Sequence, residues 1–205
     1  MYHSRICLAI AISALTVICA HAQEKLDFKV GTRFTYVEYD RWKKETDRLE
    51  DLVLRKEGDS YTIVRTSSGT NVSEFEVSSQ GVYTKPMPGG RGGSFTYTAV
   101  KIPLQDGTEW DYSWHYIGKN AGMPGIGKLA CKAGALEDIE VPAGKFSARK
   151  YKCTGGWSSN SVSGGSQKTA WFAPSIGVVV KSNDSWQDPW ARGEDTTVLS
   201  SIVVP

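Results

Sequence analysis

The chain of 205 residues has the length of one domain, and its 24 lysines and arginines against 22 acids give a formal net charge of +2. So small an excess provides neither the basic surface that nucleic acid requires nor a polybasic patch for an anionic membrane surface, which argues against both as partners. The content of 21 glycines, 7 tryptophans, 9 tyrosines and 6 phenylalanines, without long amphipathic helical windows, favours an all-β fold.

The N-terminus has the pattern of a secretory signal peptide. Arg5 supplies a positive charge, residues 6–20 form an apolar run, and Ala20-His21-Ala22 has the small residues of a cleavage site. The run is too short to span a bilayer comfortably, and no later stretch is long enough for a membrane helix. We therefore expect a signal peptide over residues 1–22 and a single periplasmic or secreted β domain over residues 23–205.

A retained or lipidated anchor at Cys19 is the alternative, although Ile18 is bulky where a lipid-attachment sequence needs a small residue. Cleavage would remove Arg5 and no acid, so the net charge would fall from +2 to +1. It would leave Cys131 and Cys153, and two cysteines in an exported protein predict one disulfide. Two free buried thiols are the competing interpretation.

Short strands and turns are predicted for the first half of the chain. The segment 30–39 predicts a strand with either a bulge or burial on both sides, because Phe34 and Tyr36 share one face whereas Val37 and Tyr39 share the other. The charged segment 40–50 lacks an apolar stripe, so we expect a connecting loop or one helical turn there. The other expected elements are strands over 52–54 and 61–64 around a turn at 57–60, strands over 72–77 and 80–84, a mobile glycine-rich loop over 86–93, and a strand over 94–99.

The segment 110–116 places a large aromatic residue at every second position, with Asp111, Ser113 and His115 between them. Successive side chains of a strand point to opposite faces, so the aromatic residues would share one face. At 3.6 residues per turn they would instead spread around a helix. We predict a strand of an antiparallel sheet that carries an aromatic stripe, defined as Trp110, Tyr112, Trp114 and Tyr116.

Two long strands, over 128–141 and 145–155, are predicted to be joined by a turn at residues 142–144. Cys131 and Cys153 would then lie nearly opposite each other, two positions away from the ideal register, which one bulge can absorb. Neighbours on adjacent strands approach closely enough for a disulfide. The remaining expected elements are glycine-rich loops over 118–127 and 155–167, a hairpin over 169–180, a loop over 185–190 and a final strand over 196–204.

Three motifs follow each other along the chain: Pro103-Leu104-x-x-Gly107-x-x-Trp110, Val141-Pro142-Ala143-Gly144-x-Phe146, and Trp171-Phe172-Ala173-Pro174-x-x-Gly177-x-Val179. In this order and spacing they resemble a broad group of exported bacterial proteins of unknown function. The resemblance covers residues 31–204. It implies an antiparallel sheet curled into a half-barrel or open β-sandwich, distantly similar to lipoprotein-carrier and lipoprotein-binding folds, and it implies no assigned activity or catalytic residue.

Catalytic machinery is not indicated by the residues. His115 is the only histidine after cleavage, and Asp111 on the same strand face would lie about 13 Å away at 3.3 Å per residue, too far for a Ser-His-Asp triad. No Gly-x-Ser-x-Gly motif accompanies them, and a disulfide would remove the thiol nucleophile. The glycine-rich segment 89–93 lacks the Gly-Lys-Ser/Thr ending of a phosphate-binding loop.

Metal binding has weak support. The sequence contains no His-x-x-x-His, no Cys-x-x-Cys and no EF-hand loop. Four acids lie close together in sequence: Asp184, Asp188, Glu194 and Asp195. They could hold Ca²⁺ together with backbone carbonyls, although exposed loop acids usually remain solvated. We predict no catalytic residue, no metal and no cofactor.

The aromatic stripe has two interpretations. Its rings could fill a small β core with Phe95, Tyr97, Phe146 and Trp171, or they could line an apolar groove on a sheet that nothing covers fully. We expect a non-catalytic exported module that binds an apolar ligand, such as a lipid or lipoprotein, or an envelope protein. The alternatives are a carbohydrate-binding or adhesive module that uses Trp186 and Trp190 as stacking platforms, and a hydrolase that uses loop carboxylates.

Overall fold

The computed structural model describes residues 25–41, 44–68, 71–81, 87–88, 94–97, 105–117, 125–159 and 162–205. The predicted signal peptide lies outside these ranges. So do residues 82–86, which cover most of the second strand of the predicted pair over 72–84, and most of the loop predicted over 86–93. Residues 118–124, most of another predicted glycine-rich loop, also fall outside.

Within the described residues, twelve strands form one antiparallel sheet and no helix is present. In sheet order the strands are β4-β3-β2-β1-β12-β11-β10-β9-β8-β7-β6-β5. Their bounds are β1 Arg33–Asp40, β2 Glu45–Glu57, β3 Ser60–Ser67, β4 Asn71–Ser78, β5 Met87–Pro88, β6 Ser94–Tyr97, β7 Glu109–Ile117, β8 Gly125–Val141, β9 Gly144–Ser159, β10 Val162–Ala173, β11 Val178–Gln187 and β12 Arg192–Val203. The all-β prediction is confirmed.

The sheet is open and curled. The turn between β8 and β9 reaches across its inner face, where the amide of Ala143 donates to the carbonyl of Leu199 on β12, 3.3 Å away. Three strands separate β8 from β12 along the sheet, so only strong curvature can bring them together. The result is the predicted half-barrel, with β4 and β5 at its two edges.

The main core fills the inner side of this curve around the junction of β1 and β12. Phe34 and Tyr36 are buried there, and the predicted bulge lies between Thr35 and Tyr36 in their pairing with β12. Leu26 and Phe28, which precede β1, cover the same core. Phe146 and Trp171 pack in this core rather than against the aromatic stripe, whereas the side chains of Phe95 and Tyr97 fall outside the described part.

The prediction of a loop or helical turn over 40–50 is wrong, because β2 begins at Glu45 and its residues 45–52 pair with β1. Charged side chains stabilise this strand through partners on its neighbours. Arg33 contacts Glu50 at 2.6 Å, and the Arg65 guanidinium makes two 2.7 Å hydrogen bonds to Asp51. Such cross-strand pairs replace the apolar stripe that the sequence lacks.

Several predicted loops are also partly strand. β9 continues to Ser159 and β10 begins at Val162, so two paired strands occupy most of the loop predicted over 155–167. β8 begins at Gly125, within the loop predicted over 118–127. The predicted loop over 185–190 contains the end of β11, which includes Trp186, whereas Trp190 lies in the turn that follows. The glycines in these segments predicted loops, and this prediction failed because several of them lie in strands, beside tryptophans.

The disulfide prediction is confirmed. Cys131 and Cys153 are direct partners of the β8–β9 pair, with Cα atoms 4.0 Å apart, and they form a disulfide. The irregularity that the spacing required lies between Ala133 and Leu136. Both cysteines are buried on the inner face, where the disulfide cross-links the two longest strands.

Candidate functional site

The aromatic stripe lies on β7, a strand as predicted, and its two described side chains have different surroundings. Trp110 packs against Tyr151, with ring centroids 5.6 Å apart, beside the disulfide. Trp114 is half-buried nearer the end of the strand. The side chains of Tyr112 and Tyr116 fall outside the described part of the chain. Both rings are half-buried, and Trp110 packs against the residues around the disulfide, whereas Trp114 packs over a glycine of the neighbouring strand.

A row of alternating tryptophan and glycine crosses four strands at this end of the sheet. Trp114 on β7 pairs with Gly127 on β8, which pairs with Trp157 on β9, which pairs with Gly164 on β10. A methyl group at Gly127 would overlap the Trp114 indole, and one at Gly164 would lie 2.8 Å from Cε2 of Trp157. The indoles thus occupy the space that side chains at these glycines would need.

A cleft of about 700 Å³ follows this tryptophan–glycine row, and apolar atoms dominate its surface. Its size lies within the usual range for small-molecule sites. Ile126, which is 58% exposed, is its most accessible aliphatic side chain. The lining residues are Ser113, Trp114, His115, Ile126, Gly127, Lys128, Gly156, Trp157, Ser158, Ser163 and Gly164.

A charged depression of about 580 Å³ lies next to the cleft along the same three strands, β7 to β9. Lys132 contacts Glu109 at 2.7 Å, and this hydrogen bond lowers the pKa of Glu109 and raises that of Lys132. Between the two hollows Lys128 contacts Asp111 at 2.9 Å. Lys152 also lines the depression and is exposed. An apolar surface therefore adjoins one that carries two ammonium groups and two carboxylates.

A third region lies at the end of the β11–β12 hairpin. Trp186 is 39% exposed and Trp190 is 75% exposed, so neither indole is tucked away into the core. Trp186 pairs with Gly193, whose missing side chain leaves room for its ring. Depressions of about 280 Å³ and 530 Å³ lie beside the two rings and share Gln187 and Arg192 in their linings.

The inner face also carries a group of acids near the junction of β1 and β12. Glu38 is half-buried and accepts a 3.4 Å hydrogen bond from the Thr197 hydroxyl. Burial raises the pKa of Glu38, and the nearby carboxylates of Asp195 and Asp47 raise it further. The Arg65 guanidinium and the Thr197 hydroxyl oppose this shift only in part.

Most residues considered for catalysis and metal binding are engaged in other contacts, although the fold makes Asp184 and Asp195 direct partners of the β11–β12 pair. His115 is exposed on the strand face opposite the stripe, and Asp111 on the same face pairs with Lys128. Asp184 contacts Lys168 at 2.9 Å, Asp188 accepts two backbone amides, and Glu194 contacts Arg41 at 2.8 Å. Among the described residues no group of three potential ligands is arranged to hold a metal ion.

Sequence reasoning missed Trp157, Ile126 and the glycines of the row. The signal available in the sequence was glycine that recurs within a few residues of tryptophan, in segments predicted to be loops.

None of the described residues forms a helix long and apolar enough to cross a membrane.

No protein-family model matches the chain, and no curated protein matches its sequence. The fold does have relatives among solved structures. A predicted exported protein with a YmcC-like fold from Bacteroides fragilis NCTC 9343 superposes with a TM-score of 0.62 at 14% identity, covering 89% of this chain and 100% of the other. A predicted lipoprotein from Parabacteroides distasonis ATCC 8503 gives 0.58 at 14%, covering 87% and 97%.

The hypothetical lipoprotein YmcC from Escherichia coli K12 has a TM-score of 0.47 at 10% identity, covering 85% of this chain and 91% of the other. The chain thus shares the fold of the Bacteroides and Parabacteroides proteins over most of its length. This likeness concerns the architecture, an open antiparallel half-barrel.

Proposed function

We propose that this protein is an exported, non-catalytic binding protein that accommodates the apolar part of a lipid-like ligand in the cleft beside Trp114 and Trp157. The observation that carries the proposal is the cleft itself, about 700 Å³ in volume with a mostly apolar surface. Water in contact with such a surface is released when an apolar chain covers it, which favours binding. Ile126, which is 58% exposed, adds accessible apolar area.

Export is part of the proposal. It is supported by the positive, apolar and small-residue segments at the N-terminus. The disulfide agrees with an oxidising compartment, since disulfides persist mainly outside the cytosol. The fold relatives described as a predicted exported protein and a predicted lipoprotein are consistent with the same location.

The charged depression next to the cleft suggests the other half of the ligand. Lys152 lines it beside the Lys132–Glu109 pair, and an acidic group placed there would face the Lys152 ammonium group while its chain followed the cleft. The two hollows are neighbours along β7–β9, and Ile126 and Lys128 of the cleft lie on the same strand face as Lys132, so one amphiphile could contact both. A fatty acid or the acyl part of a phospholipid has this chemistry.

The test is to purify the protein without detergent, extract it with organic solvent and identify copurified lipids by mass spectrometry. Ile126→Glu places a charge in the cleft at an exposed position, so it should fold and lose the lipid. Leu136→Glu is the matched control, because Leu136 is also on β8 and is 48% exposed but does not line the cleft. Equal lipid content in both variants, or none in the unaltered protein, would overturn the proposal.

A further inference from the structure

The end of the β11–β12 hairpin carries features of a second site, which is independent of the apolar cleft. Its two tryptophans differ in position, since Trp186 lies at the end of β11 and Trp190 lies in the turn. The depressions beside the two rings share Gln187 and Arg192, so they adjoin each other and together form a surface that carries both indoles.

The turn that presents Trp190 is held in place. One carboxylate oxygen of Asp188 accepts the backbone amides of Trp190 and Ala191, both at 2.7 Å, and the Asp188 amide donates to the Ala191 carbonyl at 2.8 Å. A large ring that is 75% exposed on such a turn gains little from packing in the free protein. Pre-organisation of this kind lowers the entropic cost of binding a ligand.

The surroundings of Trp186 supply polar partners. Its ring rests beside Gly193, and the depression next to it is lined by side chains that offer both donors and acceptors. These polar residues are Ser166, Gln167, Ser185, Gln187, Arg192 and Glu194. Because Arg192 and Glu194 have opposite charges, the surface does not select for a strongly charged ligand.

We infer that this surface binds a neutral carbohydrate of at least two sugar rings. A sugar ring presents an apolar C–H face, which suits an indole, and hydroxyl groups at its edge, which suit amide, guanidinium and carboxylate partners. One ring would stack on Trp190 and another would lie beside Trp186, with Gln187 and Arg192 contacting the hydroxyl groups between them. Trp186 and Trp190 are thus assigned as the stacking platforms.

The test uses a glycan array printed with neutral oligosaccharides of two or more rings, probed with the full mature protein. We expect retention on a subset of these glycans and a loss of affinity of about tenfold or more in Trp190→Ala, equivalent to about 1.4 kcal/mol. Trp190→Phe keeps an aromatic ring and should lose less. Tyr39→Ala is the matched control, since Tyr39 is an aromatic residue 43% exposed on β1 and outside both depressions.

Two outcomes would overturn the inference: no retention on any neutral glycan, or equal retention by Trp190→Ala and the unaltered protein. Ile126→Glu serves to separate the two sites. Its glycan retention should equal that of the unaltered protein even where its lipid content is lost, because Ile126 lines the cleft and neither hairpin depression.

Discussion

The indole of Trp114 occupies the space beside Gly127, the residue directly opposite it on β8. The same relationship recurs at two further cross-strand pairs, Trp157 with Gly164 and Trp186 with Gly193. A glycine in the interior of a strand normally weakens it, but here an indole from the neighbouring strand covers the exposed backbone. These pairs position Trp114 and Trp157 at the cleft and Trp186 at the end of the β11–β12 hairpin.

A side chain at Gly127 should therefore destabilise the protein. Gly127→Ala would force its methyl group into the Trp114 ring, and we expect a loss of about 1–3 kcal/mol in the free energy of unfolding. Gly125→Ala is the matched control on the same face of β8, because its methyl group would meet Trp114 at an ordinary 3.6 Å. Urea denaturation measures both, and equal stabilities would contradict this packing.

The disulfide should contribute a large share of the stability. Cys131 and Cys153 are 22 residues apart and cross-link β8 to β9. Replacing both by alanine should cost about 2–5 kcal/mol, the usual range for a native disulfide in a small exported domain. Denaturation with and without reductant should reproduce the difference. If non-reducing peptide mapping found both thiols open to alkylation, the cross-link itself would be refuted.

Asp51 should be the most sensitive charged position of β2. It is 6% exposed, and both its oxygens accept hydrogen bonds from Arg65. Asp51→Ala should cost about 3 kcal/mol, because it removes two charge-assisted hydrogen bonds from a partly buried guanidinium. The control is Glu50→Ala, which breaks the more exposed pair with Arg33 and should cost less than about 1 kcal/mol. A thermal or chemical melt that ranks them in reverse would contradict the assignment.

Glu38 should make the folded state sensitive to pH. Its pKa is raised above the ordinary 4.5, mainly by burial and then by Asp195 and Asp47. As pH rises, the carboxyl group therefore loses its proton at a lower pH in the unfolded chain than in the folded protein. Stability is therefore lost as pH rises from the ordinary value through the raised one, and the loss is complete above it. Glu38→Gln should stabilise the protein at neutral pH, and the gain should vanish below the ordinary pKa.

Unfolding curves between pH 3 and 8, about the range over which a carboxylate with a raised pKa titrates, measure this difference. Glu140→Gln provides the control, because the Glu140 side chain is 72% exposed, and it should show no comparable pH-dependent gain. A Glu38→Gln variant less stable than the unaltered protein at pH 7 would show that the carboxylate is favoured in its charged form.

The sequence predicts the architecture well where a pattern repeats within one strand. The two-residue period over 110–116 locates β7, and the spacing of Cys131 and Cys153 predicts both their disulfide and a nearby bulge. The prediction over 40–50 is wrong because the strand there depends on ion pairs with residues distant in sequence, such as Arg65. Those partners are visible only once the strands are aligned.

The cleft was harder to predict, because it depends on register between strands. Trp157 becomes a neighbour of Gly127 and Gly164 only when β8, β9 and β10 are paired, and the bulge between Ala133 and Leu136 changes that pairing by one position. A glycine-rich segment also predicts a loop when it is considered alone. Of the four residues proposed from the sequence, Trp114 lines the cleft and Trp110, which is half-buried beside the disulfide, lines the charged depression.

Quenching of tryptophan fluorescence by a brominated fatty acid tests the central claim most directly, because bromine quenches only indoles that it approaches. Trp114 and Trp157 line the cleft, so the account predicts saturable quenching in the unaltered protein and in Leu136→Glu, and its loss in Ile126→Glu. Saturable quenching that is unchanged in Ile126→Glu, or its absence from the unaltered protein, would contradict the account.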